Sequence, residues 1–107
     1  MAKLKLNPEP TFKVKVPIPV AGSAPVPVEF TFKYRTRAQL RDYATALADI
    51  PDDADEVVAF KDFVVGWELD DAFTDENIAR LLDAYPGASG ELISAYLRES
   101  SGVRRGN

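Results

Sequence analysis

The fold is decided between Thr11 and Tyr34, where the chain reads TFKVKVPIPVAGSAPVPVEFTFKY. Over the first ten of these residues Phe12, Val14, Val16, Ile18 and Val20 alternate with polar residues and prolines. That is the period-2 pattern of a strand with one buried face. Val26, Val28, Phe30, Phe32 and Tyr34 repeat it beyond Ala21-Gly22-Ser23-Ala24, so residues 11–34 are predicted to form an antiparallel β-hairpin. Facing residues in such a pair share a face. Val20 must therefore oppose an even-numbered residue such as Ala24 or Val26, and the loop is expected to hold three or five residues unless a bulge intervenes. Pro17, Pro19, Pro25 and Pro27 all occupy odd positions. If the odd pairs are the non-hydrogen-bonded ones, every missing N–H faces outward and the ladder stays intact. The prolines then block strand addition near the turn, leaving the hairpin's other end, around Phe12 and Phe32, free to pair.

Beyond Tyr34 the period changes to that of a helix. Thr36 and Gln39 form a capping box before Leu40, Tyr43, Ala44, Leu47 and Ala48, and Pro51 stops the run, predicting a helix over about 37–50. A second helix is expected over about 53–66, capped by Asp52 or Asp53, with Val57, Phe60, Phe63, Val64 and Trp67 on one stripe and Gly66 near its end. Thr74 caps a third, about 75–85, with Asp75 and Glu76 in its first turn and Phe73 placed to staple onto Ile78. Pro86-Gly87 breaks the pattern, and a fourth helix over about 89–99 presents Leu92, Ile93, Tyr96 and Leu97 ahead of a frayed tail, 101–107. The expected architecture is α+β: an N-terminal antiparallel β-hairpin packed on a bundle of about four α-helices. At 107 residues the chain is expected to be a single domain, 1–107.

The chain has no cysteine and no histidine. Disulfides, thiolate metal sites, the commonest general base and every Ser-His or Cys-His nucleophile are thereby removed. An enzyme would have to run on Asp, Glu, Lys, Tyr or Ser alone, so the expectation is no catalysis, no cofactor and no metal. MAKLKLNPEP lacks the apolar stretch of a signal peptide and no run approaches the roughly 18 apolar residues of a membrane span, so a cytosolic protein is expected. The net charge of −4 conceals an asymmetry: residues 1–41 carry +6, residues 42–100 carry −12, and Arg104 and Arg105 add +2. A basic front and an acidic body suit a complementary partner or head-to-tail stacking of copies, although solvated surface charge is the better account of any single residue.

Three features invite a functional reading. DDADE at 52–56 resembles part of an EF-hand loop, but counted from Asp53 the glycine position is Val58 and the bidentate acid position is Val64, so helix capping is the better account. Glu68, Asp70 and Asp71 have no accompanying base or hydroxyl motif and read as a solvated turn. Lys3, Lys5, Lys13, Lys15, Lys33, Arg35, Arg37 and Arg41 interleave with Phe12, Phe30 and Phe32 as a nucleic-acid platform would, but those aromatics share the face that must cover the helices, so no nucleic-acid partner is expected. Trp67, the only tryptophan, reads first as a core anchor. With Leu69 and Phe73 it also makes an apolar patch rimmed by acids, a common construction for a protein-binding site.

The segment VVGWELDDAFTDENIARLLDAYPGA, Val64 to Ala88, with its Gly-Trp pair, acidic loop, Phe-Thr helix start and Tyr-Pro ending, resembles the shared core of bacteriophage tail assembly chaperones. MAKLKLNPEPTFKVKVPIPVAG, PVEFTFKYRTR and the short basic end at Asn107 are similar to the same family. The resemblance implies a chaperone in the bacterial cytoplasm, absent from the mature virion. It would bind the tape-measure protein, keep it soluble and recruit tail-tube subunits, with self-association into oligomers. It supplies no site residue with certainty. Trp67, Leu69, Phe73 and the last helix, Tyr96 above all, are the partner-binding candidates. A minor tail or connector protein of the virion, or an acidic protein-binding regulator, is the alternative.

Overall fold

The computed structural model describes Leu4, residues 6–51 and residues 54–102. Strands β1 (Thr11–Val20) and β2 (Ser23–Lys33) form the hairpin, followed by α1 (Arg37–Ala48), α2 (Glu56–Lys61), a third strand β3 (Val64–Trp67), α3 (Asp75–Ala84) and α4 (Ala88–Ser100). The sheet order is β1-β2-β3, antiparallel throughout. With four helices among the described residues the chain is an α+β protein, as its sequence pattern predicts.

The hairpin pairs Phe12 with Phe32, Val14 with Phe30 and Val16 with Val28, all even-numbered and on one face. Pro17 stands opposite Pro27. Two residues that cannot donate can face each other in a ladder only at a non-hydrogen-bonded position, so the odd backbone groups of both strands turn outward as expected. The turn holds two residues, Ala21 and Gly22, between paired Val20 and Ser23, and parity is restored by a register shift between Ile18 and Val20. The extra residue lies on β2 around Ala24-Pro25, so Pro25 sits in a bulge, where no ladder bond is lost. Gly22, at φ 76°, takes the left-handed conformation that the tight turn requires.

The second helix is shorter than the 53–66 expected. Asp55 caps it, its carboxylate accepting from the N–H groups of Val57 and Val58 at 2.9 and 3.3 Å, and it ends at Lys61. The caps proposed from the sequence, Asp52 and Asp53, lie outside the described residues. Val64–Trp67 is a strand, not the end of a helix: Lys33 N–H donates to the Phe63 carbonyl and Glu68 N–H to the Glu29 carbonyl, each at 2.9 Å. A spacing of 57, 60, 64 and 67 suits a helical stripe, but Phe-Val-Val-Gly-Trp is also a short apolar run rich in β-formers, which periodicity cannot assign. The free edge of β2 decides, because its outward N–H and C=O groups at 29, 31 and 33 need partners. β3 pairs only with Phe30–Phe32, the end that the prolines leave open. A bulge at Val65 turns Val64 inward beside Phe32 and leaves Val65 exposed.

Helix α4 packs across β1 on the even face of the sheet. Tyr96 lies fully buried, 5.3 Å from Phe32 edge-on, 5.3 Å from Phe63 and stacked on Phe12 at 6.2 Å. Phe30, Val16, Ile78 and Leu92 complete the best-buried part of the core. Burying each such side chain stabilises the fold by about 1.5–3 kcal/mol before entropy is counted. The glycine before α4 has a packing reason, since a Cβ on Gly87 would come within 3.2 Å of the Pro19 ring.

Candidate protein-binding surfaces

Arg35, which follows the hairpin, organises the helical layer. Its guanidinium donates through Nη1 to the Tyr96 hydroxyl at 2.9 Å, and through Nη2 to the Asp62 carbonyl at 3.0 Å and the Asp62 carboxylate at 3.2 Å. It also lies 4.1 Å above the Tyr43 ring, a cation–π geometry. The Tyr96 hydroxyl in turn donates to the Lys33 carbonyl at 2.8 Å. Four segments are thus tied at one point: the end of β2, α1, the α2–β3 turn and α4. Burial pushes the Tyr43 phenol up to about 12, Asp62 and Tyr96 adding to the shift and the Arg35 charge opposing it. In the sequence Arg35 is only one of eight basic residues among the first 41; it is the arginine-over-tyrosine contact, formed across the chain, that gives it this role.

Helix α1 depends on that point. Its capping box is in place, Gln39 N–H donating to Thr36 Oγ1 at 3.2 Å and Thr36 N–H to Gln39 Oε1 at 2.8 Å. Yet only Tyr43 of its twelve residues is buried. Between α1, α2 and α4 lies a groove of about 420 Å³, floored by Phe60 and Phe63 and walled by Leu47, Ile50 and Ile93. No lysine or arginine lines it.

A second hollow, about 310 Å³, lies between β3 and α3. Trp67, Leu69, Leu81 and Tyr85 line it together with Asp71, Asn77 and Arg80. The indole N–H donates to the Asp71 carbonyl at 2.8 Å, and Phe73 meets the Trp67 ring edge-on at 5.1 Å. Asn77 holds the same loop by donating to the Ala72 carbonyl at 2.9 Å, while Thr74 caps α3 as expected. The structure therefore brings Trp67, Leu69 and Phe73 together, although Trp67 reaches this position from a strand. Tyr96 it does not bring there: the ring has no exposed surface and its hydroxyl is engaged within the fold. A broader depression between α2 and α3, about 800 Å³, carries Asp55, Glu76, Arg80 and Asp83 and is polar.

Of the sequence's other candidates, Phe30 and Phe32 face the core and Phe12 is half-buried against Tyr96. Lys3 and Lys5 lie outside the described residues, as do Asp52 and Asp53 of the acidic stretch. Among the described residues no group of three or more Asp or Glu side chains is placed to hold a metal ion, and no helix is long and apolar enough to cross a membrane.

Among the described residues, a three-stranded sheet carrying four helices, with an apolar groove and a mixed hollow on its helical side, is an architecture organised by packing around an aromatic core. The chain belongs to the phage tail assembly chaperone family, whose model matches residues 1–107 in full. Membership implies partners among phage tail proteins. No curated protein and no solved structure matches the chain.

Proposed function

We propose that this chaperone binds the tape-measure protein of its phage, keeps it soluble and recruits tail-tube subunits during tail assembly, acting by binding and without catalysis. The supporting observation is the full-length family match, joined to a hollow of aromatic and aliphatic side chains edged by Asp71, Asn77 and Arg80. Trp67, Leu69 and Phe73 form a rigid aromatic and aliphatic cluster beside the acidic turn Glu68–Asp71, an arrangement suited to the apolar face of an amphipathic helix. Each contact of this size is weak. Repeated copies along a long helical guest would supply avidity. The working place is the bacterial cytoplasm, and the chaperone departs before the particle is complete.

Coexpression tests this reading. The long tail protein should be recovered in the soluble fraction with the chaperone and in the pellet without it; equal insolubility in both rejects the proposal. Leu69→Asp should lower the soluble yield while the melting temperature stays near that of the unaltered chain. A melting curve is needed for every variant here, because Trp67→Ala removes a contact to Phe30 and Phe60 as well as the hollow's wall.

A further inference from the structure

On β1 the odd positions ahead of the prolines are Thr11, Lys13 and Lys15. Their partners across the hairpin, Lys33, Thr31 and Glu29, stand in the same alternation as the Pro17–Pro27 pair. The N–H and C=O of Thr11, Lys13 and Lys15 therefore point away from β2. On β2 the outward groups are used: Lys33 N–H reaches the Phe63 carbonyl and the Glu29 carbonyl receives the Glu68 N–H, at 2.9 Å each. β1 lies at the opposite edge of the sheet, and among the described residues no hydrogen bond reaches the outward groups of Thr11, Lys13 and Lys15. Each of these residues is exposed.

Side chains divide the same stretch by chemistry. Phe12 and Val14, on the helical face, are half-buried against the core, whereas Val16 is fully buried, so Phe12 and Val14 keep apolar surface in solvent. Lys13 and Lys15, on the other face, enter no ion pair among the described residues. Glu29 is the only acid in the hairpin.

We infer that the Thr11–Lys15 edge of β1 receives an extended segment of another protein whose residues alternate between apolar and acidic. The backbone of that segment pairs with the outward groups of Thr11, Lys13 and Lys15, extending the sheet by one strand. Its apolar residues lie beside Phe12 and Val14 and its acids beside Lys13 and Lys15. Pro17 closes the window, having no hydrogen to give. Charge decides against the chain's own copies, since two such edges laid together bring their lysines into repulsion. The site lies across the sheet from β3 and the Trp67 hollow. A strand on β1 and a helix in that hollow can therefore be held at once, and the inference does not depend on what fills the hollow.

The test uses the full chain and a soluble capped peptide of about seven residues alternating Glu and Val, enough to span the window of about 14 Å. Amide exchange is followed by NMR. Without peptide the Lys13 and Lys15 amides should exchange like exposed ones, and those of Val14 and Val16, bonded across the hairpin, slowly. Saturating peptide should slow Lys13 and Lys15 by about tenfold or more and leave the amides of α3 unchanged. Exchange that stays fast at millimolar peptide overturns the inference. Slowing that follows the concentration of the chain alone assigns the edge to a copy and overturns it too, as does equal slowing by a single-stranded oligonucleotide. Lys13→Glu/Lys15→Glu alters only exposed side chains, so its melting temperature should stay near that of the unaltered chain. It should lose about tenfold in affinity for the Glu-Val peptide and take up the Lys-Val counterpart instead. Undiminished affinity of that variant for the Glu-Val peptide overturns the inference, and so does binding of a peptide N-methylated at every residue, which can donate no hydrogen.

Discussion

The sheet side and α1 are held in different ways. Beneath α4, Phe12, Phe32, Phe63 and Tyr96 interlock with ring centroids 5.3 to 6.2 Å apart, and every one of these rings meets at least two others. Helix α1 buries only Tyr43, with Leu40 and Leu47 packed partly against the core, and is further held by Arg35 and a capping box. The contrast teaches where this small protein has surface to spare. Dense packing leaves nothing for a partner, whereas a helix with one buried residue and two half-buried ones leaves a groove along its length.

Removing the keystone of the dense side should have the largest effect. Tyr96→Ala deletes a fully buried ring and leaves the Lys33 carbonyl without its donor, and is expected to cost about 3–5 kcal/mol, close to the whole stability of a domain this size. Urea denaturation measures it, and a loss below about 1 kcal/mol would mean that the two sides are not as unequal as described. Arg35→Ala cuts the bond between them. Tyr96 remains packed and bonded to Lys33, but its hydroxyl, Asp62 and Tyr43 lose their common partner, an expected loss of about 2 kcal/mol. Hydrogen exchange should accelerate in α1 well before it does in β1 and β2; equal acceleration in both would contradict the single-anchor picture.

Alkaline titration probes the anchor itself. The Tyr43 phenol ionises near 10 when unfolded and about 12 when folded. The unfolded chain therefore loses this proton first: the stabilisation is complete below pH 10 and disappears as pH rises through about 12, a change of at most about 3 kcal/mol. Tyr43→Phe should flatten that part of the stability–pH curve, and an unchanged slope would assign it to another group. The smallest effect belongs to the cap. Thr36→Ala should cost about 1 kcal/mol, with the same exchange signature confined to α1.

Local rules account for much of this fold. The alternation at 11–34, the capping box at Thr36 and Gln39 and the cap at Thr74 each depend on residues close in the chain, and each is legible in the amino-acid order alone. β3 is not, because Val64–Trp67 satisfies both periods and only the unpaired edge of β2, some thirty residues earlier, chooses between them. The two-residue turn escapes for a related reason: parity demands a bulge, and nothing in Ser23–Pro25 announces which strand carries it. In the candidate site, proximity along the chain suffices to group Trp67, Leu69 and Phe73. It misleads for Tyr96, whose place on an amphipathic stripe is shared by core and surface-facing aromatics alike. The α1–α2–α4 groove has no sequence signature, since its walls come from three separate segments.

The four prolines of the hairpin have a consequence for crowding. In a concentrated solution a chain meets mostly its own copies, and an open sheet margin is where such meetings turn into fibres. Between Pro17 and Pro27 the four prolines offer no N–H to a newcomer, so a colliding strand cannot complete a ladder there. Molecules can then stand side by side at high density and still come apart.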